Sequence, residues 1–206
     1  TAPFLDFEVV VDRGVLVPRP ETELLAEWAI ARARAMGHRR ALDVGTGSGV
    51  LAVALARGVP GLRVHATDIV PGALAVALRN AEASGVADRI EFHLADLAPA
   101  ALVDVPLIVA NLPYVGLDER GAVAPGVLRH EPRVALFAGG DGLLALRRLM
   151  ARLGALLAPG GDLGLEIGGR QGASALALVR RRLPRARLRL RRDLGGHPRL
   201  LVAEGR

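Results

Sequence analysis

Two groups of residues in this sequence have the types and the spacing that ligand binding and chemistry require. The first is the glycine-rich stretch Asp43-Val44-Gly45-Thr46-Gly47-Ser48-Gly49, which separates a short apolar run from an apolar helical pattern. The second is the tetrapeptide Asn111-Leu112-Pro113-Tyr114, which follows another apolar run. Glycines allow a backbone to turn sharply and to approach a ligand closely, and the helix that follows presents its N-terminus to a polar group. The glycine-rich stretch therefore predicts a cofactor site.

Acidic residues after the next two predicted strands extend this cofactor site. Asp68, followed by Ile69, ends the second strand about 20 residues after the glycines, where a carboxylate can accept hydrogen bonds from both hydroxyls of a ribose. Asp96 follows the third strand, where it can accept a hydrogen bond from an adenine amino group while Leu97 packs against the base. An ordinary role in starting a loop also fits Asp96. Together these residues predict a cofactor that contains adenosine.

The glycine-rich stretch differs from the fingerprint of dinucleotide-binding proteins. GTGSG is shorter than the G-x-G-x-x-G pattern, and Asp43 stands directly before it. A carboxylate at that place suits a cationic amine or a bound water better than it suits a pyrophosphate. We therefore expect S-adenosyl-L-methionine, which has an amino-acid tail and no phosphate, as the cofactor. A nicotinamide cofactor and a purely structural turn are the alternatives.

The tetrapeptide predicts a site that orients a planar nitrogen. The lone pair of an amide or aromatic amine nitrogen is delocalised, so such a nitrogen needs positioning more than it needs a strong base. The side-chain oxygen of Asn111 and the backbone carbonyl of Leu112 can each accept one N–H of an NH₂ group. Pro113 stiffens the loop, and Tyr114 offers a flat face on which a planar group can stack. We expect methyl transfer to this nitrogen by in-line displacement.

Alternating strand and helix patterns provide the elements that must position both groups. Strands separated by helices predict βαβ units and a mostly parallel sheet, whose ligands bind beyond the carboxyl ends of the strands. We predict one Rossmann-like α/β domain over residues 1–206, with a seven-stranded sheet, helices on both faces, an antiparallel C-terminal hairpin and a short extended segment at 1–20. The predicted strands are 40–44, 62–67, 89–94, 105–110, 162–167, 185–192 and 199–204, and the predicted helices are 21–36, 48–57 with Ser48 as its cap, 71–84, 142–158 and 170–182.

The composition narrows the class of protein. With 206 residues, of which 51% are hydrophobic, the chain can bury the core of one domain and does not have the composition of a disordered protein. No apolar run approaches the ~20 residues of a membrane helix and the first residues lack the features of a secretory signal, so we expect a cytoplasmic protein without membrane contact. Cysteine is absent, which excludes disulfides and thiolate chemistry. The five histidines lack metal-ligand spacing along the sequence, and we expect no metal.

The formal net charge of +6 allows two interpretations. A basic surface favours an acidic partner such as RNA or a ribosomal complex. The other interpretation is an arginine-rich composition without consequences for binding, because the densest basic run, 180–192, falls on a predicted helix end and an edge strand. None of these patterns predicts the oligomeric state.

Beyond these patterns, the sequence resembles the HemK-type protein glutamine-N5 methyltransferases, which modify the Gly-Gly-Gln loop of peptide chain release factors. The resemblance covers nearly the whole chain and includes the glycine-rich stretch and the tetrapeptide, which falls on the family's Asn-Pro-Pro-Tyr signature. Its specific parts are VPRPETE at 17–23 and HEPRVAL at 130–136, followed by GGDG at 139–142. The resemblance implies a class I methyltransferase fold, S-adenosyl-L-methionine as methyl donor, and a glutamine in a release factor or ribosomal protein as acceptor.

Three residues of the two specific segments, Arg19, Pro20 and Glu131, are expected on the substrate side, although a rigid lead-in to the first helix and a loop corner explain them equally well. Leu112 replaces the first proline of the signature, and Asn-Leu-Pro-Tyr also resembles the signature of rRNA adenine dimethylases. N6-adenine methylation of RNA or DNA is therefore the alternative function. The family usually carries an N-terminal helical domain, and we expect this domain to be absent from a chain that begins so close to the catalytic part. The long stretch 115–138 is typical of a functional lid.

Overall fold

The computed structural model describes residues 1–12 and 14–205 of the chain. Strands and helices alternate over most of this length, as the sequence pattern predicts. The elements are β1 (Ala2–Phe4), β2 (Phe7–Val9), α1 (Pro20–Met36), β3 (Arg40–Val44), α2 (Val50–Gly58), β4 (Arg63–Asp68), α3 (Pro71–Ala83), β5 (Ile90–Leu94), β6 (Val105–Ala110), α4 (Pro125–His130), α5 (Arg133–Leu136), α6 (Leu144–Leu156), β7 (Leu157–Glu166), α7 (Gly172–Arg182), β8 (Arg187–Arg192) and β9 (Pro198–Glu204).

Seven of the strands form one sheet in the order β5-β4-β3-β6-β7-β9-β8. The five strands from β5 to β7 run parallel, and β9 and β8 add an antiparallel hairpin at one edge. This arrangement confirms the predicted α/β class, the seven-stranded sheet and the C-terminal hairpin. The strand order reverses between β3 and β6, and this switch point is where ligands bind in open α/β sheets.

Both faces of the sheet are covered, because successive side chains of a strand point to opposite sides. On β6, Leu107 and Val109 pack into the core formed with α1 and α2, whereas Ile108 and Ala110 pack into the core formed with α6 and α7. Strand β6 is therefore apolar on both sides, as expected of a parallel strand buried between helices. The glycine-rich stretch and the tetrapeptide follow directly from the carboxyl ends of β3 and β6 in this sheet.

The N-terminal residues add a small antiparallel hairpin of β1 and β2 beside the main sheet. Its turn is held by α1, because the backbone N–H of Leu5 donates to the Glu23 carboxylate at 2.9 Å. The end of the hairpin is held by α3, because Asn80 exchanges two hydrogen bonds with the backbone of Val10. These ties fix the chain that leads into α1. None of the helices in the described residues combines the length and the apolarity that a bilayer crossing requires.

Two predicted boundaries near glycines are wrong. Helix α2 begins at Val50 rather than at Ser48, because Gly49 adopts a left-handed conformation at φ 81° and serves as the cap. Helix α6 ends at Leu156, and the residues Pro159-Gly160-Gly161, predicted as the stop of that helix, lie inside strand β7. The pairing register with β6 shifts there, so the glycines accommodate an irregularity of the strand rather than a turn.

The stretch 115–138, predicted as one long loop, contains three short helical segments: a 3-10 helix at Leu117–Ala122, α4 and α5. Its two ends are held together, because Val115 donates to the carbonyl of Leu136 and Ala138 donates to the carbonyl of Val115. The segment is therefore a compact excursion from the carboxyl end of β6. It brings its residues back to the edge of the sheet where the tetrapeptide begins.

Candidate active site

The sheet register brings the glycine-rich stretch and the tetrapeptide side by side. Val44, the last residue of β3, pairs with Ala110, the last residue of β6, so Gly45 and Asn111 leave the sheet from neighbouring positions. Both then line one cleft with a volume of about 250 Å³. Predicted site residues that share this cleft wall are Thr46, Gly47, Ser48, Asp68, Ile69, Asp96, Leu97, Leu112 and Pro113.

A direct contact joins the two groups. Gly45 has φ 71°, and a Cβ placed on it would lie 3.1 Å from Cδ2 of Leu112. Glycine is favoured here for two reasons: the left-handed backbone conformation, and the close approach of the Leu112 side chain. The residue that departs from the Asn-Pro-Pro-Tyr signature thus packs against the glycine-rich stretch.

Asp68 fixes the shape of the glycine-rich stretch. Its Oδ2 accepts a hydrogen bond from the backbone N–H of Gly47 at 3.0 Å, and its Oδ1 accepts one from Val70 at 2.9 Å. The carboxylate therefore connects the glycines to the start of α3. Each oxygen retains a second lone pair, so the same carboxylate can accept further hydrogen bonds from a ligand in the cleft.

Asp43 lies behind the cleft wall and is fully buried. Its Oδ2 accepts hydrogen bonds from the Thr46 hydroxyl at 2.6 Å and from the backbone N–H of Ala52 at 3.2 Å. Burial raises the pKa of this carboxyl to about 7, although the hydrogen bonds oppose the shift. Its Oδ1 has no hydrogen-bond partner among the described residues. This buried, unpaired oxygen suits a cationic amine or a bridging water, and direct contact with a ligand stays a prediction.

The two predicted adenine-binding residues differ in their surroundings. Asp96 is half exposed and forms a salt bridge with Arg148 of α6, which also lines the cleft. Leu97 is buried, has φ 66°, and accepts a hydrogen bond from the Thr67 hydroxyl at its backbone oxygen. Leu97 is therefore rigidly placed in the cleft wall. An adenine amino group would have to share the Asp96 carboxylate with Arg148, so that role stays a prediction.

Asn111 belongs to a hydrogen-bond chain that the sequence did not reveal. Its amide nitrogen Nδ2 donates to the Thr22 hydroxyl at 3.1 Å, and that hydroxyl donates to Oε2 of Glu166 at 2.7 Å. Both Thr22 and Glu166 are buried. The amide oxygen of Asn111 accepts no hydrogen bond from the described residues. Asn111 therefore contributes an acceptor at a cleft that also contains the glycine-rich stretch.

Tyr114 is placed differently from the rest of the tetrapeptide. It lines a small cavity beside the main cleft, where its hydroxyl donates to Oε1 of Glu166 at 3.4 Å. Burial and the nearby Glu166 raise the pKa of the Tyr114 hydroxyl far above its ordinary range. Its backbone oxygen accepts a hydrogen bond from Gln171 at 2.8 Å. Stacking of a substrate on this ring stays a prediction.

The two segments that carried the specific resemblance meet each other. Arg19, directly before α1, forms a salt bridge of 2.5 Å with Glu131, between α4 and α5, although 112 residues separate them. The Glu131 side chain is 6% exposed and that of Arg19 is 34% exposed. Their neighbours Pro18 and Pro132 line the main cleft, whereas Pro20 is exposed at the start of α1. The ion pair thus holds the 115–138 segment beside the cleft that Asn111 also lines.

A cluster with metal-ligand chemistry was missed because its members are distant in the sequence. The parallel register of β4 and β5 places His65 Nδ1 3.0 Å from His93 Nε2, with the Glu91 carboxylate 3.4 and 3.6 Å from these nitrogens. Burial lowers the pKa of His65, and His93 and Arg40 lower it further. The rings share a hydrogen bond, and Arg40 places a positive charge nearby, which disfavours a metal ion. The absence of a metal from this cluster stays a prediction. The cluster lies outside the main cleft, and the side chain of His130 lies outside the described part.

Comparisons with known proteins show which proteins this chain resembles. Residues 22–114 match a family model described as ribosomal protein L11 methyltransferase (PrmA). The release factor glutamine methyltransferase of Cereibacter sphaeroides is 46% identical over 193 residues, which cover 94% of this chain and 68% of that relative. The first match is confined to the part with the glycine-rich stretch and the tetrapeptide, whereas the second covers nearly the whole chain.

Two solved structures place the fold among methyltransferases. A protein-(glutamine-N5) methyltransferase (release factor-specific) from Alicyclobacillus acidocaldarius is 30% identical with a TM-score of 0.57, and the match covers 96% of this chain and 98% of that one. The hMettl16 catalytic domain in complex with the MAT2A 3'UTR hairpin 6 has a TM-score of 0.72 at 15% identity, with 95% and 74% covered. At that identity the second likeness shows the fold alone.

Proposed function

This chain belongs to the family of release factor glutamine methyltransferases, and from that premise we propose that it methylates the side-chain amide nitrogen of a glutamine in a peptide chain release factor. The methyl donor in this proposal is S-adenosyl-L-methionine, which supplies a methyl group on its sulfonium when it is bound. The observation that carries the proposal is the shared cleft of Gly45 and Asn111, in which the Leu112 side chain packs on Gly45.

The residues present fit the proposed cofactor. The unpaired Oδ1 of Asp43 suits the amino group of an amino-acid tail or a water that bridges to it. Gly47, at φ 56°, leaves space beside its backbone where a side chain would stand. Asp68 provides carboxylate oxygens for ribose hydroxyls, and Leu97 provides an apolar surface for the base. No phosphate-binding cation is needed for such a ligand.

The chemistry assigned to this chain is positioning of the acceptor. The oxygen of Asn111 and the backbone carbonyl of Leu112 each accept one N–H of the glutamine amide, which turns the nitrogen lone pair toward the glycine-rich stretch. Pro113 limits the freedom of this loop. Positioning of this kind can lower a barrier by several kcal/mol, because the entropy of alignment is lost on binding rather than in the transition state.

The substrate side is proposed to be the excursion 115–138 together with the Arg19–Glu131 ion pair. Arg19 and Glu131 form an ion pair, and their neighbours Pro18 and Pro132 both line the cleft. The ion pair therefore holds these two parts of the cleft wall in a fixed arrangement. Arg19 is one-third exposed and can also donate to the backbone of a protein substrate. The substrate in this reading is a peptide loop that inserts a glutamine.

The direct test is transfer of an isotope-labelled methyl group from S-adenosyl-L-methionine to purified release factor, followed by mass spectrometry of its peptides. We expect one added methyl group on the glutamine of the Gly-Gly-Gln loop and none after that glutamine is replaced by alanine. Ribosomal protein L11 and an adenine-containing RNA hairpin are the parallel acceptors. Preferential methylation of L11 or of RNA would contradict the proposed substrate, and the RNA result would favour the N6-adenine alternative.

A further inference from the structure

A buried hydrogen-bond chain runs from the acceptor site to the end of strand β7. Its three members are Asn111 at the end of β6, Thr22 in the first turn of α1, and Glu166, the last residue of β7. The distances are 3.1 Å from Asn111 Nδ2 to the Thr22 hydroxyl and 2.7 Å from that hydroxyl to Glu166 Oε2. Thr22 is 2% exposed, so water does not replace either contact.

The chemistry of the donors fixes the direction of this chain. An ionised carboxylate only accepts hydrogen bonds, so the single proton of the Thr22 hydroxyl points to Glu166. The hydroxyl oxygen can then only accept, and of the two ends of the Asn111 amide only the NH₂ group can donate to it. The amide oxygen is thereby left for the cleft. A flipped amide would place an acceptor against an acceptor in a buried site, which is costly.

We propose that Thr22 and Glu166 are positioning residues, which orient the Asn111 amide so that its oxygen, rather than its nitrogen, meets the substrate NH₂ group. This inference rests on the proposed function. It extends that function to two residues that do not contact the reacting nitrogen. It also gives Thr22, within the VPRPETE segment, a role beyond starting a helix.

Protonation of Glu166 would reverse the chain. A protonated carboxyl can donate to the Thr22 hydroxyl, whose own proton is then available to the Asn111 oxygen. The groups that face Glu166 are Thr22 and Glu21 from α1, Tyr114 after β6, and Arg199 from β9. Burial is the main cause that raises the pKa of Glu166 to about 7, and Glu21 adds to it while Thr22, Tyr114 and Arg199 oppose it. The rate of methyl transfer should therefore fall as pH decreases through about 7.

The first experiment compares Thr22→Val with Thr22→Ser. Valine keeps the shape of threonine without the hydroxyl, whereas serine keeps the hydroxyl. We expect the single-turnover rate of methyl transfer to the release factor to fall between about 10- and 100-fold in Thr22→Val and to stay near the wild-type rate in Thr22→Ser. Calorimetry should give the same affinity for S-adenosyl-L-methionine in all three proteins. The proposal would be overturned if Thr22→Val transferred methyl groups at the wild-type rate, or if Thr22→Ser were as slow as Thr22→Val. A loss of cofactor affinity that parallels the loss of rate would also overturn it.

The second experiment follows the Asn111 amide itself. In ¹⁵N-labelled protein without cofactor or substrate, the side-chain NH₂ signal of Asn111, assigned by its loss in Asn111→Ala, should titrate between about pH 6 and 8 in the wild type. In Glu166→Gln the titration and the acid limb of the rate profile should both disappear. A wild-type signal and rate that are independent of pH, or an acid limb that persists in Glu166→Gln, would contradict the mechanism.

Different results would refute the proposed function and the positioning role of Thr22 and Glu166. Wild-type protein that transfers no methyl group to any release factor refutes the proposed function. Wild-type protein that methylates the release factor, together with a fully active Thr22→Val variant, refutes only the positioning role.

Discussion

Two buried carboxylates on one strand show how the same chemical group serves two purposes. Asp162 and Glu166 both lie on β7, and each receives a hydrogen bond from α1. Asp162 lies in the middle of the strand and is bound by the guanidinium of Arg32, the ring of His38 and the backbone of Gly205. Glu166 lies at the carboxyl end, where its partners are hydroxyl groups.

The pKa values of the two carboxyls shift in opposite directions because their hydrogen-bond partners differ. Burial alone would raise the pKa of Asp162, but the hydrogen bonds from His38 and Arg32 outweigh it and hold that pKa below its ordinary range. Burial dominates at Glu166 and raises its pKa to about 7. The Arg32 cation and the hydrogen bond from His38 thus favour the anionic form of Asp162, which joins elements of the fold. Neutral partners leave Glu166 able to change charge near neutral pH, at the edge of the sheet where ligands bind.

The largest effect on stability is expected from removing the anion at position 162. Asp162→Ala leaves Arg32 and His38 without their buried partner, which should reduce the free energy of unfolding by about 3 kcal/mol or more. Urea denaturation at neutral pH measures this loss. The folded fraction should retain wild-type affinity for S-adenosyl-L-methionine, because Asp162 does not line the cleft. An Asp162→Ala protein as stable as the wild type would contradict the structural role assigned to Asp162.

A second, smaller effect concerns Glu166 and depends on pH. Because the pKa of Glu166 is raised in the folded state, from 4.5 to about 7, its contribution to stability is present below its ordinary pKa and is lost as pH rises through about 7. Glu166→Gln should therefore become more stable than the wild type as pH rises from about 5 to 8, by on the order of 2 kcal/mol.

Asp162→Asn is the matched control for this pH dependence. The pKa of Asp162 is lowered in the folded state, so its contribution is present above its ordinary pKa and is lost as pH falls through the lowered value. The asparagine variant should be less stable than the wild type at both pH 5 and pH 8. Denaturation curves at the two values provide the comparison, and a Glu166→Gln variant that loses stability at pH 8 would contradict the account.

The smallest effect on stability is expected from alanine substitutions at two glycines. Comparing the two distinguishes the cost of a left-handed backbone from the loss of a contact in the site. Gly37, after α1, and Gly45 have φ values of 65° and 71°. A Cβ at Gly37 meets nothing within 4 Å, whereas one at Gly45 meets the Leu112 side chain. Alanine at either position should cost about 1 kcal/mol from the backbone conformation alone.

Only Gly45→Ala should also weaken binding of S-adenosyl-L-methionine, because it displaces Leu112 at the wall of the cleft. Thermal melts with and without this cofactor separate the two effects. A cofactor-induced rise in Tm that is equal in both variants would show that the contact between Gly45 and Leu112 has no role in binding.

Much of the fold could be predicted because strands and helices alternate along the sequence, and the central strands β3 and β6 are short, mostly apolar runs with glycine or polar residues directly after them. The bounds of β3 and β6 match the prediction, and so does the placement of the glycine-rich stretch and Asn111 at one edge. The boundary between α6 and β7 was missed because Pro159-Gly160-Gly161 has the composition of a turn. Its extended conformation depends on pairing with β6, which no local pattern contains.

The hydrogen-bond chain behind Asn111 could not be predicted for a related reason. Thr22 and Glu166 are 144 residues apart, and each has an ordinary local explanation, one in the first turn of a helix and the other at a strand end. The signal that could have pointed to Glu166 is its isolation, since it is the only acid in the apolar run LGLEI at 163–167. A lone carboxylate at the carboxyl end of a parallel strand is a candidate for a site in the same way as Asp68.

The amide of Asn111 is the group that orients the acceptor nitrogen beside the glycine-rich stretch, and the proposed methyl transfer depends on it most. The measurement that tests this role most directly combines calorimetry with single-turnover methyl transfer for Asn111→Ala. We predict unchanged affinity for S-adenosyl-L-methionine and a rate of release factor methylation that falls about 100-fold or more. An Asn111→Ala protein that methylates the release factor at the wild-type rate would contradict the account.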